Sequence, residues 1–500
     1  MPSKSTRREH LLSINSEFRH IGIEKKVPKA VRHLSAGLSC IIFVVMLVST
    51  GPAFVQAGTS CLAPPYALNR AEDNYEYLRD PACRTSFWDP IKDIPLNAAG
   101  SWFFSLGGEA RERYEYFNRP NWGLDPQDNG YFLQRYFLHA DLHMGEYLRL
   151  FTQLQSSLEN GRVGGPRPAD QDALDLHQAF LDLKFDFGGN GSFVFRPGRQ
   201  ELAYGSQRII SVREGPNVRQ SFDGFRAMVR TGNIRIDGFV AKPVETNRYV
   251  FDDGPDNNRA LWGLYSVSPL PGIPKGNVDL YYVGYYNREA RFDQGIARET
   301  RHSVGTRLWR TAGPIDYNFE FIYQWGNFGN GDIRAWTVAS DTGYTFYSLP
   351  FRPRVGLRAN ITSGDRDPNN PDLQTFNPLF PKGAYFSEDN LIGPANHIDL
   401  NPCIDLFFTD RLTLSIDWDF FWRESIHDGV YNNAVALVRS GRNSAARYIG
   451  SQPQAQLQWN IDRHITFIVI YAHFLAGPFL RETGPGKDVD YVTTWLTYKF

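Results

Sequence analysis

From Trp102 to Phe500 the chain repeats one pattern, apolar and polar side chains alternating at every second residue, and no stretch holds a helical period over three turns. Successive side chains of a strand point to opposite faces, so this pattern describes strands with one apolar and one polar side. Trp102, Phe104, Leu106, Ala110, Tyr114 and Tyr116 share one parity, while Ser105, Glu109, Arg111, Arg113 and Glu115 share the other. The next segment repeats the design, with Phe132, Tyr136, Leu138, Ala140, Leu142 and Met144 against Arg135, His139, Asp141 and His143.

Strands are predicted at 101–117, 131–144, 147–158, 174–187, 192–202, 220–231, 233–242, 259–268 and 277–288. Further ones are predicted at 300–311, 314–325, 332–347, 351–362, 395–408, 411–423, 445–460, 463–476 and 488–500. That is about 18 strands, an even number. Their connections alternate in length. Gly145-Glu146, Gly188 to Gly191, Gly232-Asn233, Ala312-Gly313 and Ile461-Asp462 are tight, whereas 118–130, 159–173, 203–219, 243–258, 289–299, 363–394, 424–444 and 477–487 are long and rich in Gly, Pro, Asn and Asp. Short turns at one end and long loops at the other, with aromatics such as Trp309, Trp325, Trp418 and Trp459 near strand ends, predict an all-β transmembrane antiparallel β-barrel. A soluble sandwich needs a polar outer face, which the repeated aromatic parity does not supply. A closed barrel pairs every backbone group without water, so an alternating chain can sit in lipid.

The one long apolar run, Leu38 to Val48, follows a basic stretch with Lys25, Lys26, Lys29 and Arg32 and precedes the small-residue pattern Val55-Gln56-Ala57. Residues 1–57 therefore read as a secretory signal peptide, too short in its apolar part to span a bilayer. Residues 58–100 are expected as a periplasmic N-terminal segment, and 101–500 as the barrel. Cleavage after Ala57 takes the formal charge from −1 to −6 and leaves 38 Arg against 7 Lys. Guanidinium pairs bidentately with carboxylates where ammonium is a point charge, so the imbalance bears on a carboxylate ligand, although biased codon usage accounts for it equally. In an oxidising compartment Cys61 and Cys83 are a candidate disulfide, leaving Cys403 unpaired. Near-neutral charge without a basic block argues against a nucleic-acid partner.

Several motifs resemble those of the alginate export family of outer-membrane proteins. The densest is Gly198-Arg199-Gln200-Glu201-Leu202, then Tyr204-Gly205, Arg208, Asn217-Val218 and Phe222-Asp223-Gly224-Phe225-Arg226. Others are Ser363-Gly364-Asp365 with Phe376 and Leu379-Phe380-Pro381, Phe421-Trp422-Arg423 with Asp428-Gly429-Val430-Tyr431, and Ala476-Gly477-Pro478-Phe479-Leu480. The resemblance covers roughly residues 85–500. It implies an eighteen-stranded barrel in the outer membrane of a Gram-negative bacterium, passing an anionic polyuronate outward through an Arg-lined lumen. A nutrient porin for small carboxylates or sugar acids is the alternative, with the same barrel and no biosynthetic complex.

The residues fit such a path. Arg111, Arg113, Arg135 and Arg149 lie on the polar parity of the first three strands, Arg226 and Arg230 on that of the sixth, with Glu109, Asp141, Asp182 and Asp186 among them. Charges facing each other across a low-dielectric wall focus the field on an oppositely charged solute, and mixed signs let it leave. Filling the interior with paired charges is the plainer role for many of them. Arg199, Arg208 and Arg226 are the strongest candidates for the path, with Glu201 and Asp223 as positioning or gating partners and Arg423 as a further member.

One departure from the family concerns gating. Its exporters carry a long periplasmic turn before the penultimate strand, where this chain has only Asn460 to Arg463. Residues 58–100 are expected either to plug the barrel or to tether loosely. Phe500 after Val492, Thr494, Leu496 and Tyr498 resembles the signal that barrel assembly machinery reads. Periplasmic export proteins stay open as further partners.

Enzymatic and cofactor chemistry finds no support. His302 and Ser303 are adjacent and so point to opposite faces of a strand, unable to act as base and nucleophile. Asp365-Arg366-Asp367-Pro368-Asn369 starts like a calcium loop, but Asn370 and Phe376 stand where Gly and Glu are needed. No cofactor and no metal site is predicted. A barrel with an immobile filled lumen, structural or adhesive, is the reading left for a chain that does not conduct.

Overall fold

A computed structural model describes Cys61, residues 63–188 and residues 190–500, so the signal peptide expected over 1–57 lies outside the described residues. Alternation decides the architecture. In the first strand Ser105, Glu109, Arg111, Arg113 and Glu115 are buried within the barrel, while Trp102 on the other parity is exposed.

The barrel strands are β1 (Trp102–Asn118), β2 (Asn129–Met144), β3 (Leu148–Asn160), β4 (Asp172–Phe187), β5 (Gly191–Gln200) and β6 (Phe222–Thr231). They continue as β7 (Ile234–Glu245), β8 (Arg259–Pro269), β9 (Gly276–Phe292), β10 (Gly295–Arg310), β11 (Ile315–Phe328) and β12 (Gly331–Thr345). The last six are β13 (Arg354–Thr362), β14 (His397–Phe407), β15 (Leu412–Trp422), β16 (Tyr448–Asn460), β17 (Ile465–Ala476) and β18 (Val489–Lys499). Each predicted strand overlaps one of them. Neighbours pair antiparallel, and β1 pairs β18 from Glu109↔Lys499 to Asn118↔Asp490, so the 18-strand barrel closes. Closure removes both sheet edges, which would otherwise present unpaired backbone groups to lipid.

The outward parity is apolar along the whole circumference. Leu138, Phe225, Val240, Leu280, Phe321, Val338, Leu357, Ile416 and Leu457 are among the exposed residues, and Trp418 stacks on Phe420 at 5.3 Å. A band of this extent has no place in water and suits the hydrocarbon of a bilayer.

One expected loop is a tight turn. The 289–299 connection shrinks to Asp293-Gln294, because β9 and β10 keep pairing to Phe292↔Gly295. The alternation continues through Ile296 and Arg298 once the polar run is read as strand, and Gly295 takes the positive φ of 143° that the turn requires.

The interior is not a water-filled bore. Leu202, Tyr204, Ile209 and Ile210 from the 201–221 connection and Leu373, Phe376, Leu379 and Phe380 from the 363–396 connection join Phe222, Phe239, Leu261 and Tyr285 of the wall in one apolar cluster. In loops facing water these side chains would lose the free energy of burial, and so the two connections turn inward.

Candidate functional site

The inward loops define the passage. They run side by side, Phe380 donating its backbone N–H to Ile209 O at 2.8 Å and Lys382 to Gln207 O at 2.9 Å. Past that point they touch, glycine to glycine. A Cβ on Gly383 would lie 2.3 Å from Cδ of Pro216 and 3.0 Å from the nitrogen of Gly215, so only glycine permits the approach. The wall holds this contact in place. Arg113 of β1 donates to Gly215 O at 2.7 Å and pairs with Glu115 at 2.7 Å and Glu388 at 3.1 Å, tying both loops to one strand. Arg111 donates to the carbonyls of Glu214 and Pro216, each at 3.1 Å, and Arg135 joins Glu109 at 2.7 Å and the Glu214 carboxylate.

A cavity lies on each side of the contact. That toward the long loops, about 560 Å³, is lined by Arg113, Arg162, Arg167, Arg213 and Arg439 with Glu115, Asp170 and Glu388 among the acids. That toward the short turns, about 370 Å³, is lined by Arg208, Arg358 and Lys382 against Asp341, Asp399, Asp417 and Asp419. Most of these charges are paired. Arg208 meets Glu320 at 3.0 Å and donates to Asn360 at 3.0 Å and to Tyr385, while Arg162 meets Asp170 at 2.8 Å.

Two of the lining cations make no side-chain hydrogen bond among the described residues, whereas Arg439, which likewise meets no carboxylate, donates to Val438 O and Asn121 O at 2.9 Å each. Among the described residues, neither Arg213 nor Lys382 has a carboxylate within salt-bridge distance, and both flank the glycine contact in sequence. Arg213 lies 5.7 Å from the Phe380 ring and Lys382 5.6 Å from that of Tyr385. Burial, then the nearby Arg208 and Arg358, pushes the Lys382 ammonium down to about 8. Burial, then Arg259, lowers Arg213 to about 10. Neither signal was visible in the sequence, since loops carry no periodicity; Arg213-Glu214-Gly215 and Lys382-Gly383 share only a charge beside a glycine.

The short-turn end is covered by the 61–100 segment. Cys61 and Cys83 are joined as a disulfide, and Cys403 is free and buried. Arg70, 2% exposed, pairs with Asp73 at 2.7 Å and donates to Gly108 O at 2.7 Å. Trp88 stacks on Phe500 at 4.2 Å and donates to the Tyr498 hydroxyl at 2.5 Å. The segment also reaches into the interior, where Arg149 donates to Ala71 O at 2.6 Å and Arg219 to Leu68 O at 3.0 Å. It rests on the tight turn before β17, with Arg463 donating to the Tyr77 hydroxyl at 2.5 Å and lying 4.5 Å from the Tyr66 ring. These contacts hold the segment against the short-turn end and part of the interior.

The sequence-derived candidates do not form one cluster. Arg111, Arg113 and Arg135 meet at the Glu214–Pro216 stretch, and Arg149 pairs with Asp141 at 2.7 Å and Asp182 at 3.6 Å. Arg226 pairs with Asp237 rather than with Asp223 or Glu201. Glu201 instead accepts from His177 at 2.8 Å and Arg219 at 2.9 Å. Arg199 and Asp223 face each other across β5 and β6 at 2.7 Å, on the outward parity that Phe195 and Phe225 share, and Arg199 reaches the carbonyl of Asp253. Arg423 is fully buried. It donates to the carbonyls of Ile426 at 2.9 Å, Ser444 at 2.8 Å and Ala446 at 2.6 Å, with Phe479 at 4.1 Å, and so braces the 423–447 connection instead of lining either cavity.

Comparison with known proteins agrees with this architecture. The sequence profile of the alginate export family matches residues 103–493. No curated protein is similar enough in sequence to count as a match. Among solved structures, a BenF-like porin from Pseudomonas fluorescens Pf-5 superposes with a TM-score of 0.54 at 10% identity, covering 79% of this chain and 98% of the porin. Acinetobacter baumannii OccAB4 gives the same TM-score, identity and coverages. Pseudomonas aeruginosa OccK2 (OpdF), solved in complex with glucuronate, gives 0.51 at 12% identity, covering 79% and 96%. At these identities the likeness is one of fold.

Proposed function

Because the chain belongs to the alginate export family and has the fold of an outer-membrane channel, we propose that it passes an anionic polyuronate outward through its lumen. The observation that supports an anionic cargo is the placement of Arg213 and Lys382. A carboxylate-bearing chain threading between Gly215 and Gly383 leaves one unpaired cation and meets the next. Unpaired cations in a narrow, low-dielectric passage concentrate anions, and the aspartates of the smaller cavity keep them from being held too tightly. Short turns on the periplasmic side of such barrels support reading the 61–100 segment as a plug at the entrance for an exported polymer. Transport then requires the plug to leave and the two loops to part.

A nutrient porin for small carboxylates or sugar acids is the second reading. In its favour, the touching loops leave two separate cavities of about 560 and 370 Å³, sized for sugar-acid units rather than for a continuous polymer. Planar-bilayer recording separates the two. Reversal potentials in a salt gradient are expected to show anion preference, with current blocked by polyuronate oligomers added to the periplasmic face. Block by monomeric carboxylates alone would favour the nutrient porin, and cation preference would overturn both.

A further inference from the structure

At the long-loop rim, three aspartates meet that neither reading of the channel uses. Asp172 and Asp175 begin β4, and Asp253 comes from the 246–258 connection, which lies along β4 through backbone bonds such as Phe251 N–H to Leu174 O at 2.9 Å. One carboxylate oxygen from each aspartate lies within 4.8 Å of the others. They line a void of about 10 Å³, room for one atom of water size, together with Gln155 of β3 and the hydroxyl residues Ser221 and Thr246.

Two of these oxygen donors are not satisfied within the protein, whereas Asp175 accepts from Leu176 N–H at 2.6 Å. Asp172 and Gln155 are each 1% exposed, and Asp172 Oδ1 and Gln155 Oε1 have no hydrogen-bond partner. Gln155 offers only its amide nitrogen, to Asp172 Oδ2 at 3.3 Å. Arg199 approaches Asp175 at 3.5 Å, but its closer carboxylate is Asp223 at 2.7 Å. Arg219, also beside the void, is paired with Glu201 at 2.9 Å and Glu214 at 3.2 Å. Backbone N–H groups of Asp253 and Asn247 reach Asp175 at 3.0 Å and Asp253 at 2.5 Å, leaving a surplus of negative charge. Buried carboxylates crowded in this way call for a counter-ion.

We propose that Asp172, Asp175, Asp253 and Gln155 bind a calcium ion that fastens the 246–258 loop to β3 and β4. All donors are oxygens, which selects a hard cation over zinc or copper. The void has room for an ion but not for the several waters that magnesium retains, and the donors come from two strands and a loop, an irregular set that calcium accepts.

The test uses the purified full-length chain in detergent, stripped of metal and titrated with calcium chloride by calorimetry. One saturable site is expected, with a dissociation constant between about 10 µM and 1 mM. Asp253→Asn, on the loop, is expected to weaken it roughly tenfold or more, and magnesium to bind less tightly by a similar factor. Calcium is also expected to slow tryptic cleavage after Arg248. Absence of saturable binding by the unaltered chain up to about 10 mM calcium overturns the site. So does unchanged affinity in both Asp253→Asn and Gln155→Ala. Binding without protection of Arg248 overturns the fastening of the loop.

Discussion

Arg70 donates from its guanidinium to the backbone oxygen of Phe500 at 2.8 Å, across 430 residues of chain. With the bond to Gly108 O, one side chain of the plug is held by both the first and the last strand. Hydrogen bonds from a charged donor contribute about 1.5–3 kcal/mol each, so Arg70→Ala is expected to loosen the plug by a few kcal/mol without opening the barrel. Single channels should then conduct more, and trypsin should remove the 61–100 segment while the barrel keeps its heat-modifiable migration. A protease pattern and conductance equal to those of the unaltered chain would show that the segment does not obstruct.

Docking of the plug should depend on pH through Lys92. This buried ammonium donates to Leu106 O and lies 4.8 Å from the Tyr75 ring. Burial, and after it Arg70 and Arg463, lowers it to about 7, with Asp73 and Asp89 opposing, and its ordinary value is 10.5. Between these two values the undocked segment binds more protons than the docked one, so docking strengthens as pH rises from about 7 to about 10.5. Below about 7 both forms carry the charge and the dependence vanishes. Tryptic release of the segment should therefore be faster at pH 6.5 than at pH 9, and Lys92→Met should flatten the difference.

The glycine contact is expected to limit the current. Gly383→Ala places a methyl group against Pro216 and must push the loops apart, at a cost of about 1–3 kcal/mol. The expected result is a slightly lower melting temperature with larger, noisier single-channel currents. Identical currents would mean that ions pass elsewhere.

Lys382 gives the channel a titratable selectivity. With its ammonium lowered to about 8, raising the pH from 7 to 9 removes one of the two cations beside the glycine contact, while Arg213, lowered to about 10, stays charged. Anion preference measured by reversal potential should decline across that interval. Lys382→Arg should abolish the decline, and Lys382→Gln should show the weaker preference already at pH 7.

How much of this was legible follows from the kind of signal. Alternation is local, so all eighteen strands could be read, and the one misjudged connection, at Asp293-Gln294, falls where Arg288, Glu289 and Arg291 interrupt the apolar parity. The inward loops were not legible as such. Ile209-Ile210 and Leu379-Phe380 are short apolar pairs in polar stretches, and only the fold brings them together. Partners were harder still. Arg113 meets Glu388 and Arg208 meets Glu320 across the interior, where no spacing along the chain relates them. Arg199, Arg226 and Arg423 stood out by motif, yet a motif records that a residue is needed without saying for what.

The seat of the plug is built from Gly108, Tyr498, Phe500 and the turn at Arg463, that is, from both sides of the β1–β18 seam. Its two sides come together only when the seam closes. A segment that precedes every barrel strand in sequence is thus seated only after the last of them, and Arg70 serves as a gauge of completion: a barrel with a slipped or open seam does not offer it both Gly108 O and Phe500 O.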